Sequence, residues 1–281
     1  MRKLLLLPIL SLFLIIGCTS SDDNNNNDDP LVEKQLLNVA YGSDAEQKMD
    51  VYLPANRDKN TKVVLLLHGG SWIEGNKSDL SYVVPVIQSQ FPDYAIVNIN
   101  YRLATDNSPA FPKQIQDIQK AIQYLKNSNY TISANYAFIG FSAGAHLSML
   151  YGYSYNTTGD IKAICNVVGP ADFSDPAYTA HPLYPYAALN LIGTSSPTQS
   201  QISEVSPVAH ITAQSPPTIS FYGGQDPLVP ASQGPRLKEA LDNVNVYNEF
   251  NFYPNGGHAD WDNATMLEVY GKITAFLQNH F

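Results

Sequence analysis

The 281-residue chain reads as an α/β protein with a mostly parallel eight-stranded sheet, helices on both faces and a small cap insertion. Three features lead there. Short apolar runs of strand length recur between residues 35 and 252. Helical segments separate them from residue 63 onward, and alternation of buried strands with helices is the pattern of a parallel sheet. The third is a junction over 136–150, where a serine stands between glycines at the change from strand to helix.

The chain does not open on this pattern. Arg2 and Lys3 precede an apolar run over 4–16, then Gly17-Cys18. That layout predicts a secretory signal over 1–17, and Ile15-Ile16-Gly17-Cys18 resembles a bacterial lipoprotein box, which implies lipidation of Cys18. Residues 18–30 follow with Asp22, Asp23, Asp28, Asp29 and four asparagines. A stretch without large apolar side chains cannot offset its ordering entropy, so this is expected to be a lipid-anchored, disordered tether. Anchoring to the outer membrane of a bacterium, on its surface or periplasmic side, is the expected location. The rest, 31–281, is expected to be one domain of about 250 residues.

Within that domain the expected strands are 35–40, 48–52, 63–67, 94–99, 136–139, 161–168, 218–222 and 246–252. Tyr41-Gly42-Ser43-Asp44 lies between the first two, which suggests an antiparallel hairpin. Residues 112–126 place Ile115, Ile118, Ile122 and Leu125 on one helical face, with Pro112 where a proline is tolerated. Residues 143–150, 237–241 and 265–276 also read as helical. The connection over 172–216 is long for a strand-to-strand link, so it is expected to form a cap or cleft wall carrying Tyr178, His181, Tyr184 and Tyr186.

Composition narrows the partners. Net charge is −9, and removing Arg2 and Lys3 with the leader takes it to −11. An acidic domain with scattered lysines is not expected to take nucleic acid as a partner. With Cys18 lipidated, Cys165 stands alone in an apolar run and is expected to be an inert core thiol. No Cys/His spacing suggests a metal site, and no cofactor is implied.

Parallel sheets bind ligands beyond the carboxyl ends of their strands, so reactive residues should follow strands directly. Gly140-Phe141-Ser142-Ala143-Gly144 does so in the G-x-S-x-G form. A turn that sharp leaves no room for side chains beside the serine, and it presents Oγ at a helix N-terminus as a nucleophile. A serine needs a base and an orienting acid. Asp226 follows the strand at 218–222, and His258 follows the last strand through Gly256-Gly257. Ser142, Asp226 and His258 therefore form the expected triad, with Asp172 as rival acid and Asp260 too close to His258 in sequence. Gly69 or Gly70, after the strand at 63–67, would offer a backbone N–H to an oxyanion together with Ala143.

With these residues assembled, the chain resembles an α/β-hydrolase esterase of the hormone-sensitive-lipase-like and bifunctional feruloyl/acetylxylan esterase-like group. Further marks are Met49-Asp50-Val51-Tyr52-Leu53-Pro54, His68-Gly69-Gly70 with Trp72, Asn100-Tyr101-Arg102-Leu103, Pro112 with Asp117, and Ser142-Ala143-Gly144-Ala145-His146. Ser71 stands where a third glycine is common. The resemblance implies a carboxylic-ester hydrolase acting on short acyl esters, such as acetyl or feruloyl groups on plant polysaccharide, without a cofactor. An arylformamidase using the same triad is the alternative, and a glycan-binding lipoprotein without chemistry the less favoured one. Arg102 with Asp117 reads as a structural pair, His68 as a scaffold residue, and Glu74 with Lys77 as a solvated loop pair. Trp72 either lines the acyl pocket or covers the oxyanion loop, and Tyr184 is a candidate substrate contact. The tyrosines at 151, 153 and 155 are further candidates.

Overall fold

The computed structural model describes residues 31–281. The expected leader, Cys18 and the tether lie outside the described residues.

Among the described residues, eight strands form one sheet, ordered β1-β2-β4-β3-β5-β6-β7-β8. They are β1 (Lys34–Ala40), β2 (Lys48–Leu53), β3 (Val63–Leu67), β4 (Ala95–Ile99), β5 (Tyr136–Phe141), β6 (Ile161–Val167), β7 (Thr218–Gly223) and β8 (Asn248–Tyr253). The first two pair antiparallel, β2 runs antiparallel to β4, and the remaining pairs are parallel. Every residue of β3 to β7 is buried except Lys162. That is why these runs are continuously apolar rather than alternating.

Alternation survives as a choice between two cores. Val63, Leu65 and Leu67 enter one, where α2 (Lys113–Asn127) contributes Ile115, Ile118, Ile122 and Leu125. Val64 and Leu66 enter the other, with Val84 and Ile87 of α1 (Val83–Gln90) and Ile273 and Phe276 of α8 (Asn263–His280). Side chains along a strand point to opposite faces, so one run feeds both layers. Helix α1 was not apparent from sequence. Its first turn holds two β-branched residues and Pro85, a poor helical signature, although proline is tolerated where first-turn N–H groups lack intrahelical partners.

Helix α3 (Ala143–Leu150) follows β5 without a loop. Between β6 and β7 the chain forms three short α-helices, α4 (Pro176–Thr179), α5 (Tyr184–Ile192) and α6 (Gln199–Val205), and a 3-10 turn over Pro207–His210. Gly193 ends α5 in the left-handed conformation at φ 88°, and Thr198 caps α6 through the Gln201 amide. Helix α7 (Gln233–Asp242) extends four residues further toward its N-terminus than the expected 237–241.

Polar pairs fix the loops above the sheet. Fully buried Asp117 takes a forked ion pair from Arg102 and a hydrogen bond from Gln47 Nε2 at 2.7 Å, so this pair is structural. Lys77 does not pair with Glu74. Its Nζ reaches Asp50 of β2 at 2.7 Å, from the turn that Asn76 caps. No helix among the described residues is long and apolar enough to cross a membrane.

Candidate active site

Ser142 occupies the single residue between β5 and α3, at φ 51° and ψ −119°. A non-glycine residue in that region costs on the order of 1–3 kcal/mol, so surrounding structure must enforce it. The enforcement is visible. Ser142 N donates to Val167 O at 2.8 Å, and Ser142 O accepts the helical bond from His146 N. A Cβ on Gly144 would meet Leu67 O at 2.2 Å, and one on Gly140 would meet Gly144 O at 2.5 Å. Helix α3 therefore lies directly against the end of β3, and only glycine permits that approach.

Two loops bring the partners. His258 Nε2 lies 2.7 Å from Ser142 Oγ, and its Nδ1 lies 2.7 Å from Asp226 Oδ2. With the carboxylate accepting at Nδ1–H, the neutral ring leaves Nε2 as acceptor for the serine hydroxyl. Asp226 Oδ1 accepts from the Leu228 and Val229 amides, so the carboxylate is held from both oxygens. Its loop packs backbone to backbone on the histidine loop: Gly224 N donates to Tyr253 O, and Gln225 N donates to Gly256 O. A Cβ on Gly223 would meet Gly256 O at 2.3 Å.

The rival acids are elsewhere. Asp172 pairs with Arg236 at 2.6 Å and with Ser174. Asp260 lies beside Gly257, past the histidine.

Next to Ser142, Ala143 N belongs to the first turn of α3 and lacks an intrahelical acceptor. Gly69 abuts the serine: a Cβ there would be 3.2 Å from Ser142 Cβ. Gly70 has φ 108°, and Ser71 and Trp72 follow at 49° and 65°. This left-handed run is clamped through Trp72 O, which accepts from Ala104 N and Gln114 Nε2. His68 serves the same loop as scaffold. Its ring stacks on Tyr101 at 4.2 Å, its Nδ1–H donates to Gly69 O, and burial lowers its pKa.

A cleft of about 190 Å³ opens over Ser142 and Ala143. Trp72 borders it and, at 3% exposed, also covers the loop. The cap supplies Tyr178, Leu183, Tyr186 and Ala187, while the acid loop supplies Leu228 and Val229. Tyr184, the expected contact, is not on this wall. It is buried, its hydroxyl donates to Phe173 O, and it packs on Tyr178. The reason is helical phase. Tyr184, Ala188 and Leu191 form the buried face of α5, whereas Leu183, Tyr186 and Ala187 line the cleft. That i, i+3, i+4 set marks a second apolar face of α5, but the spacing alone does not tell which of the two faces is buried. The tyrosines after α3 also point elsewhere: Tyr151 and Tyr153 are buried, and Tyr153 Oη bonds Thr218 Oγ1. Among the described residues no group of His, Cys, Asp or Glu could hold a metal ion, and Cys165 is buried.

The BD-FAE family pattern matches residues 49–241, more than half of the chain. The match includes Ser142 and Asp226 but stops before His258. Among curated proteins, the esterase LipC of Mycobacterium tuberculosis is 24% identical over 222 residues, covering 72% of this chain and 54% of LipC. Kynurenine formamidase of Salmo salar is 29% identical over 148 residues, covering 49% of this chain and 46% of that protein. The chain thus spans about half the length of the curated relatives it matches. Among solved structures, a truncated carbohydrate esterase from gut microbiota superposes with a TM-score of 0.75 at 23% identity, covering 88% of this chain and 95% of the other. That likeness establishes the α/β-hydrolase fold.

Proposed function

This chain belongs to the BD-FAE family, and from that premise and the geometry of the cleft we propose that it is a serine carboxylic-ester hydrolase. One observation carries the reading: a serine on strained backbone, its hydroxyl aligned with His258 and Asp226 beneath the cleft.

Ser142 Oγ attacks the ester carbonyl carbon while His258 Nε2 takes its proton. Asp226 holds the ring in the required tautomer and stabilises the imidazolium. The tetrahedral oxyanion is received by the Ala143 amide and an amide of the Gly69-Gly70 turn. His258 then returns the proton to the leaving alkoxide, giving an acyl-Ser142 intermediate that water cleaves by the same route.

Acetyl or feruloyl esters on plant polysaccharide are the proposed substrates. The cleft is small and walled by aromatic and aliphatic groups, which suits a short acyl chain or a stacked aryl ring. A carbohydrate esterase also shares the fold. The likeness to kynurenine formamidase supports a second reading, hydrolysis of an N-formyl arylamine by the same three residues. Rates on p-nitrophenyl acetate, acetylated and feruloylated xylan and N-formyl anilides decide between them. Formamide turnover far above every ester would overturn the ester assignment.

The location is proposed from sequence alone: a lipid on Cys18 would tether the domain to the bacterial outer membrane. Mass spectrometry of the native N-terminus should find a lipidated cysteine, and an unmodified terminus elsewhere refutes the anchor.

A further inference from the structure

His146 has no part in the proposed proton transfers, yet it is fully buried between the elbow helix, the oxyanion loop and the cap. Both of its ring nitrogens are engaged. Nδ1 lies 3.2 Å from Trp72 Nε1, and Nε2 lies 2.8 Å from Val205 O. An indole N–H only donates and a carbonyl only accepts, so the partners dictate one neutral tautomer, with Nδ1 as acceptor and the proton on Nε2. Burial agrees, pushing the imidazole pKa down to about 4.

Each partner matters to the cleft. Trp72 borders it beside Ser142 and sits at φ 65°, a conformation its backbone would otherwise leave. The indole stands edge-on to His146 at 5.3 Å, and Phe173 packs against both rings, 5.4 Å from His146 and 6.0 Å from Trp72. Val205 O belongs to the last residue of α6, where carbonyls lack intrahelical donors. Because His146 lies one helical turn after Ser142, the side chain carries the register of the nucleophile to both wall and cap.

We infer that His146 is a positioning residue for acyl selection: it holds the Trp72 indole as a fixed wall of the cleft and docks the end of α6 against the elbow helix. This rests on the ester-hydrolase reading for its kinetic arm only.

Two amide replacements separate the two bonds. An asparagine carbonyl can stand near Nδ1 and keep an acceptor for Trp72, whereas a glutamine amide reaches the Nε2 position and keeps the donor to Val205 O. His146→Gln should raise KM for p-nitrophenyl butyrate about three- to tenfold, as loss of one buried hydrogen bond implies, with kcat within about twofold. His146→Asn should keep KM near the wild-type value, although both variants leave one polar group unpartnered. Equal KM for the two would overturn the inference. Trp72→Phe deletes the same bond from the other end, so adding His146→Gln to it should change little further, and additive effects count against the assignment.

A second arm needs no turnover. In a Trp261→Phe background Trp72 is the remaining tryptophan. Its emission should shift with His146→Gln and stay at the wild-type position with His146→Asn. Identical spectra for the two variants refute the Trp72 bond. If the wild type cleaves no ester, the hydrolase reading fails while this spectral comparison still judges His146.

Discussion

Ser142 and Tyr186 border the same cleft and are held there by opposite means. Around Ser142 the backbone decides everything. The residue sits at φ 51°, and the flanking glycines bring β3, β5 and α3 so close that an added Cβ would lie 2.2–2.5 Å from backbone atoms. Tyr186 stands on the outer face of a nine-residue helix, 52% exposed. Nothing comparable constrains its replacement. The floor of the site is a backbone structure with one acceptable composition, and its wall is a set of side chains that can change without disturbing the sheet. Reaction type should reside in the first and acyl preference in the second.

Breaking the floor should therefore abolish turnover, and the largest loss belongs to Ser142→Ala. Ester turnover should fall on the order of 10⁶-fold, leaving only what binding and the oxyanion amides supply. A folded Ser142→Ala protein that keeps most of its activity would end the proposed mechanism. Asp226→Asn comes next, at roughly 10⁴-fold, because an amide holds the histidine in the wrong tautomer. Asp172→Asn is the control from outside the cleft. It leaves Arg236 without its ion pair, so the melting temperature should drop while kcat stays near the wild-type value. The reverse pattern would transfer the acid role to Asp172.

Gly144→Ala tests the floor without touching a reacting group. The new Cβ would press on Leu67 O and His68 O, at 2.2 and 2.3 Å. Backbone must shift, at a cost of about 1–3 kcal/mol in stability. Activity should fall with it, since α3 begins at Ala143 and has Ser142 as its N-cap. Unchanged melting and turnover would mean that the approach of α3 to β3 is looser than the geometry requires.

The same contrast explains what could be read in advance. The sheet was legible because fully buried parallel strands are short, apolar and separated by helices. The meeting of Ser142, Asp226 and His258 was legible because each follows a strand end and glycines mark the tight approaches. Tyr184 was misassigned because the sequence of a short cap helix does not announce which face meets the cleft. Its tyrosines lie two residues apart, about 200° around the helix axis, and tertiary packing settles which one is buried. Helix α1 escaped notice because Pro85 and its β-branched neighbours mask it. Leu228 and Val229 carried no motif, although they follow the acid on a loop at the correct end of the sheet.

On the wall the effects should be smaller and selective. Tyr186→Ala removes an aromatic side from the cleft, so kcat/KM for a feruloyl ester should fall about 10- to 100-fold, while acetate turnover changes little. An equal loss on both substrates would mean that Tyr186 supports the floor rather than the acyl group.

The gentlest effect is the dependence on acyl length. A buried methylene contributes about 0.8 kcal/mol, so specificity rises with chain length only while apolar wall remains to cover it. Here the wall is short. The cleft holds about 190 Å³, and its lining residues Leu183, Tyr186 and Leu228 are already substantially exposed, at 44%, 52% and 37%. A chain longer than the cleft would leave its distal methylenes in water and gain nothing from them. Acetyl to butyryl esters should thus have higher kcat/KM than octanoyl or longer ones, and an aryl acid should be accepted because its ring can lie flat against Tyr186. Enlarging the opening with Leu183→Ala should flatten the preference between butyryl and octanoyl without reversing it, since it removes wall rather than adding any. A kcat/KM that climbs steadily from acetyl to dodecanoyl in the wild-type protein would contradict this, because it requires apolar surface that continues past the rim.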